Sequence, residues 1–292
     1  MTPIASWSFK PFLHNRLQWL STLDFMAVAR ASILSVYENY GTPTIYTDSL
    51  GEQIFSTIID SSKVSIINVY DDIDIPNNLW AMSKFIALEK QKASYFHFDL
   101  DVVIKKPIQH NNADVVVHGR ENIFENKTIE KQYERYYNLH RLAHLYRLPT
   151  ILHNFDRTVL PFNTGILMMN NMDLHRVYLN TVLELYQNNI DLLRNRDLAL
   201  DMCTIEQYTL ALIANKLRSN VLCCIENSIT NFPETEDFIH FVGVMKTNTT
   251  GTIQQKRNSI VVNNTTKEVI DMANLLNKLR EKYSEQQSSK VN

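Results

Sequence analysis

Asp99-Leu100-Asp101 sets two carboxylates two residues apart, directly after the apolar run Tyr95-Phe96-His97-Phe98. In an extended chain alternate side chains share a side, so both acids would converge on one small volume. Two carboxylates that close repel and raise a pKa unless a cation joins them, and Mg²⁺ and Mn²⁺ take oxygen ligands of this kind. Ions bound in this way characteristically bridge to diphosphate. A strand ending in a solvated turn would use the same three residues, so the triplet alone leaves both readings open. His97 alternates on the same strand and reads either as a core histidine or as a residue backing the metal.

The second constellation is His240-Phe241-Val242-Gly243-Val244-Met245-Lys246. Read as a strand running into a turn, it delivers an imidazole able to complete a metal shell. A glycine follows, where the backbone can approach a ligand, and then a lysine as a compact charge for phosphate oxygens. By itself it would equally suit a core histidine and a surface lysine.

These groups must be held by elements of a consistent fold. Short β-branched runs alternate with helical patterns through the first two-thirds of the chain, as in βα units feeding a mostly parallel sheet. The reading places strands at Ile4–Trp7, Thr44–Tyr46, Val64–Val69, Tyr95–Phe98, Asp114–Val117, Phe162–Met169, Val221–Ile225 and Phe238–Val242. Helices are expected over Thr22–Tyr40, Gly51–Ile59, Asn78–Lys90, Ile129–Arg147, Asp173–Asn188, Cys203–Lys216 and Lys267–Tyr283. The Thr/Asn/Gln-rich stretch after Lys246, up to about Thr252, suggests a loop, and Gln286 to Asn292 a disordered tail. The expected division is a catalytic domain over 1–246 and a polar loop with a C-terminal helix and tail over 247–292.

The order of the motifs is more specific than any one of them. A DxD after an apolar strand, Phe-Asn-Thr-Gly-Ile-Leu-Met-Met-Asn at 162–170 and HxxGxxK at 240–246 follow one another as in the retaining glycosyltransferases of family 8, which the chain resembles. Ser6-Trp7-Ser8-Phe9-Lys10-Pro11-Phe12, Tyr46-Thr47-Asp48 and Leu79-Trp80-Ala81-Met82-Ser83-Lys84 also resemble a group of bacterial glycosyltransferase-like proteins, and together the matches run from about residue 4 to 246. The resemblance implies a GT-A-like α/β fold with a C-terminal helical appendage. It further implies a nucleotide diphosphate sugar as donor, UDP-sugar favoured, a saccharide or other hydroxyl acceptor, and Mn²⁺ or Mg²⁺.

Carried over residue by residue, it assigns Asp99, Asp101 and His240 to the metal and Lys246 to the diphosphate, with Gly243 letting the chain close on it. Lys84 would lie near the diphosphate or sugar, or be a solvated helix lysine. Asn163 would lie by the sugar, with Thr164 and Gly165 shaping the backbone. Glu206 or Gln207 would approach the reacting carbon, unless Glu206 only complements a helix dipole. Ser6, Trp7 and Ser8 follow the first strand, where a base or ribose would rest in an open α/β sheet, although Trp7 reads equally as core. Thr247-Asn248 departs from the Pro-Trp common in the family after HxxGxxK, which puts the closing loop in doubt.

Composition narrows the setting. The 292 residues are 45% hydrophobic and 21% charged, enough for a sizeable core without disulfides. A net charge of −2 lacks the broad basic surface of a nucleic-acid binder. Three cysteines without CxxC spacing fit a reducing, cytoplasmic location rather than a disulfide framework. No apolar run reaches membrane-spanning length, while peripheral membrane contact stays open. Two rivals remain: a nucleotidyltransferase of related fold, disfavoured by the absence of glycine from Ser6 to Phe12, and a non-catalytic nucleotide- or sugar-binding module. Cell-surface polysaccharide synthesis is the expected setting only by association with bacterial relatives.

Overall fold

The structure is a computed structural model that describes residues 1–9, 19–73, 81–121, 147–156, 158–191, 204–227, 235–241, 246 and 251–291. Gly243, residues 247–250 of the loop expected up to about Thr252, and all but the last residue of the helix expected over Ile129–Arg147 lie outside them, while Gly251 and Thr252 open a helix instead of ending that loop. In chain order the strands are β1 (Thr2–Ser6), β2 (Thr44–Thr47), β3 (Ser65–Asn68), β4 (Tyr95–Phe98), β5 (Val102–Ile104), β6 (Val115–Arg120), β7 (Phe162–Met169), β8 (Val221–Asn227) and β9 (Phe238–His240). The α-helices are α1 (Thr22–Tyr40), α2 (Ser49–Ile58), α3 (Met82–Glu89), α4 (Met172–Asn188), α5 (Thr209–Lys216), α6 (Gly251–Asn264) and α7 (Lys267–Val291).

Seven strands form one sheet in the order β3-β2-β1-β4-β7-β6-β8, and β5 pairs with β9 in a separate two-stranded ribbon. β1 with β2, β2 with β3 and β6 with β8 are parallel, whereas β6 and β7 are antiparallel. This mostly parallel sheet flanked by helices is the α/β class expected from the alternation of elements.

The chain divides into two compact units. One comprises Thr2–Asn77, Phe98–Pro107 and Glu236–Asn292. Its core gathers Phe25, Met26, Val28, Ala29 and Ile33 of α1 with Ile54, Phe55 and Ile58 of α2, Leu100, Phe241, and Val269, Ala273 and Leu276 of α7. Burying a side chain such as Phe25 contributes about 1.5–3 kcal/mol, so α1 is held mainly by its inward face. Both of its ends are chemically marked. Ser21 caps it by accepting from the Asp24 N–H, and Gly41 at φ 85° ends it with its N–H on the Tyr37 carbonyl.

The other unit comprises Asn78–His97 and Ile108–Thr235, together with Met1. Its strand β7 is buried along all eight residues, apolar over Ile166–Met169 and carrying the buried polar pair Asn163 and Thr164 in its first half.

The sequence-based ranges of α1, β4 and β7 coincide with the structure. Elsewhere the structure differs: β5 and α6 have no counterpart in the sequence expectation, β6 and β8 run on to Arg120 and Asn227, β9 stops at His240 and pairs with β5, and α7 continues through Gln286 to Val291. A three-residue strand is too short to show alternation, and α6 (Gly251-Thr-Ile-Gln-Gln-Lys-Arg-Asn-Ser-Ile-Val-Val-Asn-Asn264) is too polar to show a clear apolar stripe.

The segment after β1 is fastened by Asp48, the N-cap of α2. Asp48 accepts from Ser8 Oγ at 2.9 Å, the Phe9 N–H at 2.6 Å and the Gly51 N–H at 2.9 Å, all of them buried. Any side chain at Gly51 would collide with Thr47, so α2 can start this close to β2 only from glycine. Asp48→Ala removes a cap and leaves two further donors without their acceptor. We expect a loss of about 2–4 kcal/mol in urea unfolding at an unchanged m value. A loss under about 1 kcal/mol would show that the cap does not hold this segment.

Candidate functional site

The acidic triplet does not continue β4. Asp99, Leu100 and Asp101 form a turn in which the Val102 N–H bonds to the Asp99 carbonyl at 3.1 Å, and Leu100 enters the core. The two carboxylates therefore converge because the chain turns between β4 and β5, not because alternate residues of an extended strand share a side. His240 arrives from β9, paired opposite Val102, and the Phe241 N–H donates to the Asp101 carbonyl at 3.0 Å. The ribbon thus fixes imidazole and carboxylate on adjacent strands. One ligand atom from each of Asp99, Asp101 and His240 lies within 4.8 Å of the others.

Asp101 is the most constrained of the three. Its Oδ2 is 2.6 Å from Lys246 Nζ, and its Oδ1 is 3.2 Å from His240 Nε2. Oδ1 is buried and has no hydrogen-bond donor of good geometry among the described residues. Burial opposes the charge on Asp101, but Lys246 and then His240 outweigh it and hold the carboxyl well below the usual carboxylate range. An anionic, donorless oxygen beside a second carboxylate and an imidazole is a donor set that fits a divalent cation. The ammonium of Lys246 also lies over the Trp19 ring, 5.6 Å from its centroid. Trp19, which belongs to no recognisable motif, is thus a member of the site that sequence reasoning missed.

In the other unit a second buried cluster forms around β7. Lys84 of α3 is only 5% exposed, which excludes a solvated helix lysine. Its Nζ lies 2.6 Å from Glu206 Oε1 and donates to the Thr164 carbonyl at 2.7 Å. Thr164 Oγ1 donates to the same Glu206 oxygen at 2.5 Å. Neighbouring Asn163 takes the opposite face of the strand, with its Nδ2 3.4 Å from Glu121 Oε1 and its Oδ1 accepting from the Gly165 N–H at 3.0 Å. Glu121 is a second residue of interest that the sequence did not signal. Glu206 and the half-buried Gln207 sit in a π-helical turn, Thr204–Tyr208, that leads into α5, where the sequence suggested one regular helix from Cys203. Such turns recur at functional positions. Glu206 is thereby more than a complement to a helix dipole: it is ion-paired, and Tyr178 donates to its carbonyl at 3.0 Å. His97 is buried in this unit; burial, with the Lys84 charge adding to it, pushes its imidazole well below the ordinary histidine range.

Ser6 and Ser8 are buried at the end of β1, Ser8 against Asp48. Trp7 is half-buried, its ring 5.0 Å from Phe25 and 6.3 Å from Phe9. Its Nε1 is buried without a hydrogen-bond partner among the described residues. Asp71 accepts from the Ser49 N–H and from Asn68 Nδ2 in an exposed loop.

The fold is that of the GT-A glycosyltransferase structures. The galactosyltransferase LgtC, in complex with donor and acceptor sugar analogs, matches over 93% of this chain and 100% of its own, at a TM-score of 0.50 and 10% identity. At that identity the likeness is one of fold. The glycosyltransferase GlyE of Streptococcus pneumoniae TIGR4 covers 94% of this chain and 63% of its own at 8% identity and TM-score 0.45. Mouse xyloside xylosyltransferase 1 covers 76% of this chain and 84% of its own at 13% identity and TM-score 0.42. No curated protein matches the chain. A sequence model described as "Family of unknown function (DUF6734)" matches residues 5–285, and the chain belongs to that family.

Lys246 and a divalent ion would compete for one carboxylate, which gives the site a sign-specific test. In calorimetry without nucleotide, Asp101→Asn should abolish Mn²⁺ binding, whereas Lys246→Met should tighten it by roughly tenfold, about 1.4 kcal/mol. Weaker Mn²⁺ binding by Lys246→Met would show that the ammonium is no competitor of the metal.

Proposed function

We propose that the protein is a metal-dependent glycosyltransferase. It would transfer a sugar from a nucleotide diphosphate sugar, UDP-sugar favoured, to a saccharide or other hydroxyl acceptor with retention at the anomeric carbon. The observation that carries this reading is the buried, donorless Asp101 Oδ1 beside Asp99 and His240, with a lysine at the same carboxylate. The GT-A-type fold supports the class, and the resemblance to family 8 supports retention.

A bound Mn²⁺ or Mg²⁺ would supply positive charge to the diphosphate oxygens as the leaving group departs. Asp99 and Asp101 would hold it through carboxylate oxygens and His240 through a ring nitrogen. Lys246, displaced from Asp101, would place its ammonium on the same oxygens and add to the stabilisation of the charge that develops there. No strong base is required of the protein. Trp7 offers a buried N–H to the nucleotide, with Ser6 and Ser8 shaping that strand end. The resemblance assigns Asn163, Glu206 and Gln207 to the sugar and the reacting carbon. Lys84 and Thr164 would then fix the Glu206 carboxylate, so Lys84 acts on Glu206 instead of on the diphosphate. No described helix is long and apolar enough to cross a membrane. Cytoplasmic synthesis of a cell-surface polysaccharide, with peripheral membrane contact, is the setting we propose.

The test is a panel of UDP- and GDP-sugars with Mn²⁺, scored by released nucleotide diphosphate. One donor should be turned over, and both EDTA and Asp101→Asn should lower its rate by on the order of 10²–10³. Release of pyrophosphate from a nucleoside triphosphate, with no sugar nucleotide consumed, would identify a nucleotidyltransferase and refute the proposal.

A further inference from the structure

A lysine ammonium at the end of a flexible four-carbon stem is only as well placed as the backbone that bears it. The carbonyl of Lys246 accepts two hydrogen bonds, from the Leu20 N–H at 3.2 Å and from Arg257 Nη1 at 3.0 Å. Arg257 comes from α6 and is 1% exposed, which makes it the largest fully buried side chain among the described residues. Burying a guanidinium is costly unless its charge is matched. The nearby carboxylate is Asp24, 3.9 Å from Nε, in the first turn of α1. One buried cation therefore links α6, the start of α1 and the backbone of Lys246. Trp19 completes the setting, since it lies under the Lys246 ammonium and packs on Phe241 and Phe25 at centroid distances of 6.0 and 6.2 Å.

We infer that Arg257 is a positioning residue for Lys246, and that helix α6 thereby sets the reach of the lysine toward the diphosphate of a nucleotide. The inference rests on the glycosyltransferase reading for the identity of the ligand, and on the contacts of Arg257 for everything else. It makes the C-terminal helix pair a working part of the binding site rather than an appendage.

The experiment measures UDP affinity by calorimetry in the presence of Mn²⁺ for the wild type, Arg257→Met, Lys246→Met and the double variant, well below the lowest melting temperature. Each single substitution should weaken UDP binding by on the order of tenfold. The double variant should bind no more weakly than Lys246→Met alone, because Arg257 acts through that lysine. A general loss of stability would not produce this non-additivity. If Arg257→Met does not fold, Arg257→Lys replaces it in the cycle. It keeps the charge facing Asp24 but loses the planar fork, and the same pattern is expected. Losses that multiply in the double variant, with the wild type binding UDP, overturn the role of Arg257 and leave the glycosyltransferase reading intact. A folded wild type with no Mn²⁺-dependent UDP binding overturns both.

Discussion

A carboxylate withdrawn from water keeps its charge only beside cations or hydrogen-bond donors, and Asp101 is largely withdrawn. Oδ2 is answered by Lys246, while Oδ1 has no donor among the described residues. Much of one unit is arranged around that requirement. The turn after β4 brings Asp99 to the same place, the β5–β9 ribbon brings His240, and Leu100 between the two acids anchors the turn in the core. Apolar packing thus supplies the rigidity that holds these side chains together.

The second unit solves a related problem differently. Glu206 is buried more deeply than Asp101, and one of its oxygens receives both Lys84 and Thr164. That carboxylate is internally neutralised and fixed in orientation, which suits a group that presents an oxygen to a polar ligand, not one that binds a metal. The contrast between a satisfied and an unsatisfied buried acid separates the two clusters more clearly than their residue types do.

Much of this was legible in the sequence because the relevant signals were local. α1 is bounded by a serine cap and a glycine stop, β7 is marked by the apolar run Ile166–Met169, and the metal candidates by the DxD and HxxGxxK spacings. The missing parts depend on distant partners. β5 is a strand only because β9 pairs with it, and the turn at Asp99–Asp101 is visible only once that ribbon forms. Lys84 reads either as a ligand for the diphosphate or sugar or as a solvated helix lysine, and its pairing with Glu206, more than a hundred residues later, is visible only in the structure. Arg257 and Trp19 stand outside any motif, and their bearing on Lys246 comes from tertiary contacts alone.

The most direct measurement is a crystal structure of the protein with Mn²⁺ and UDP, in which anomalous scattering locates the ion. The account predicts one strong peak coordinated by Asp99, Asp101 and His240 and by diphosphate oxygens, with Lys246 moved off Asp101 onto the diphosphate. UDP bound elsewhere, or manganese bound away from these three residues with Lys246 still on Asp101, would contradict it.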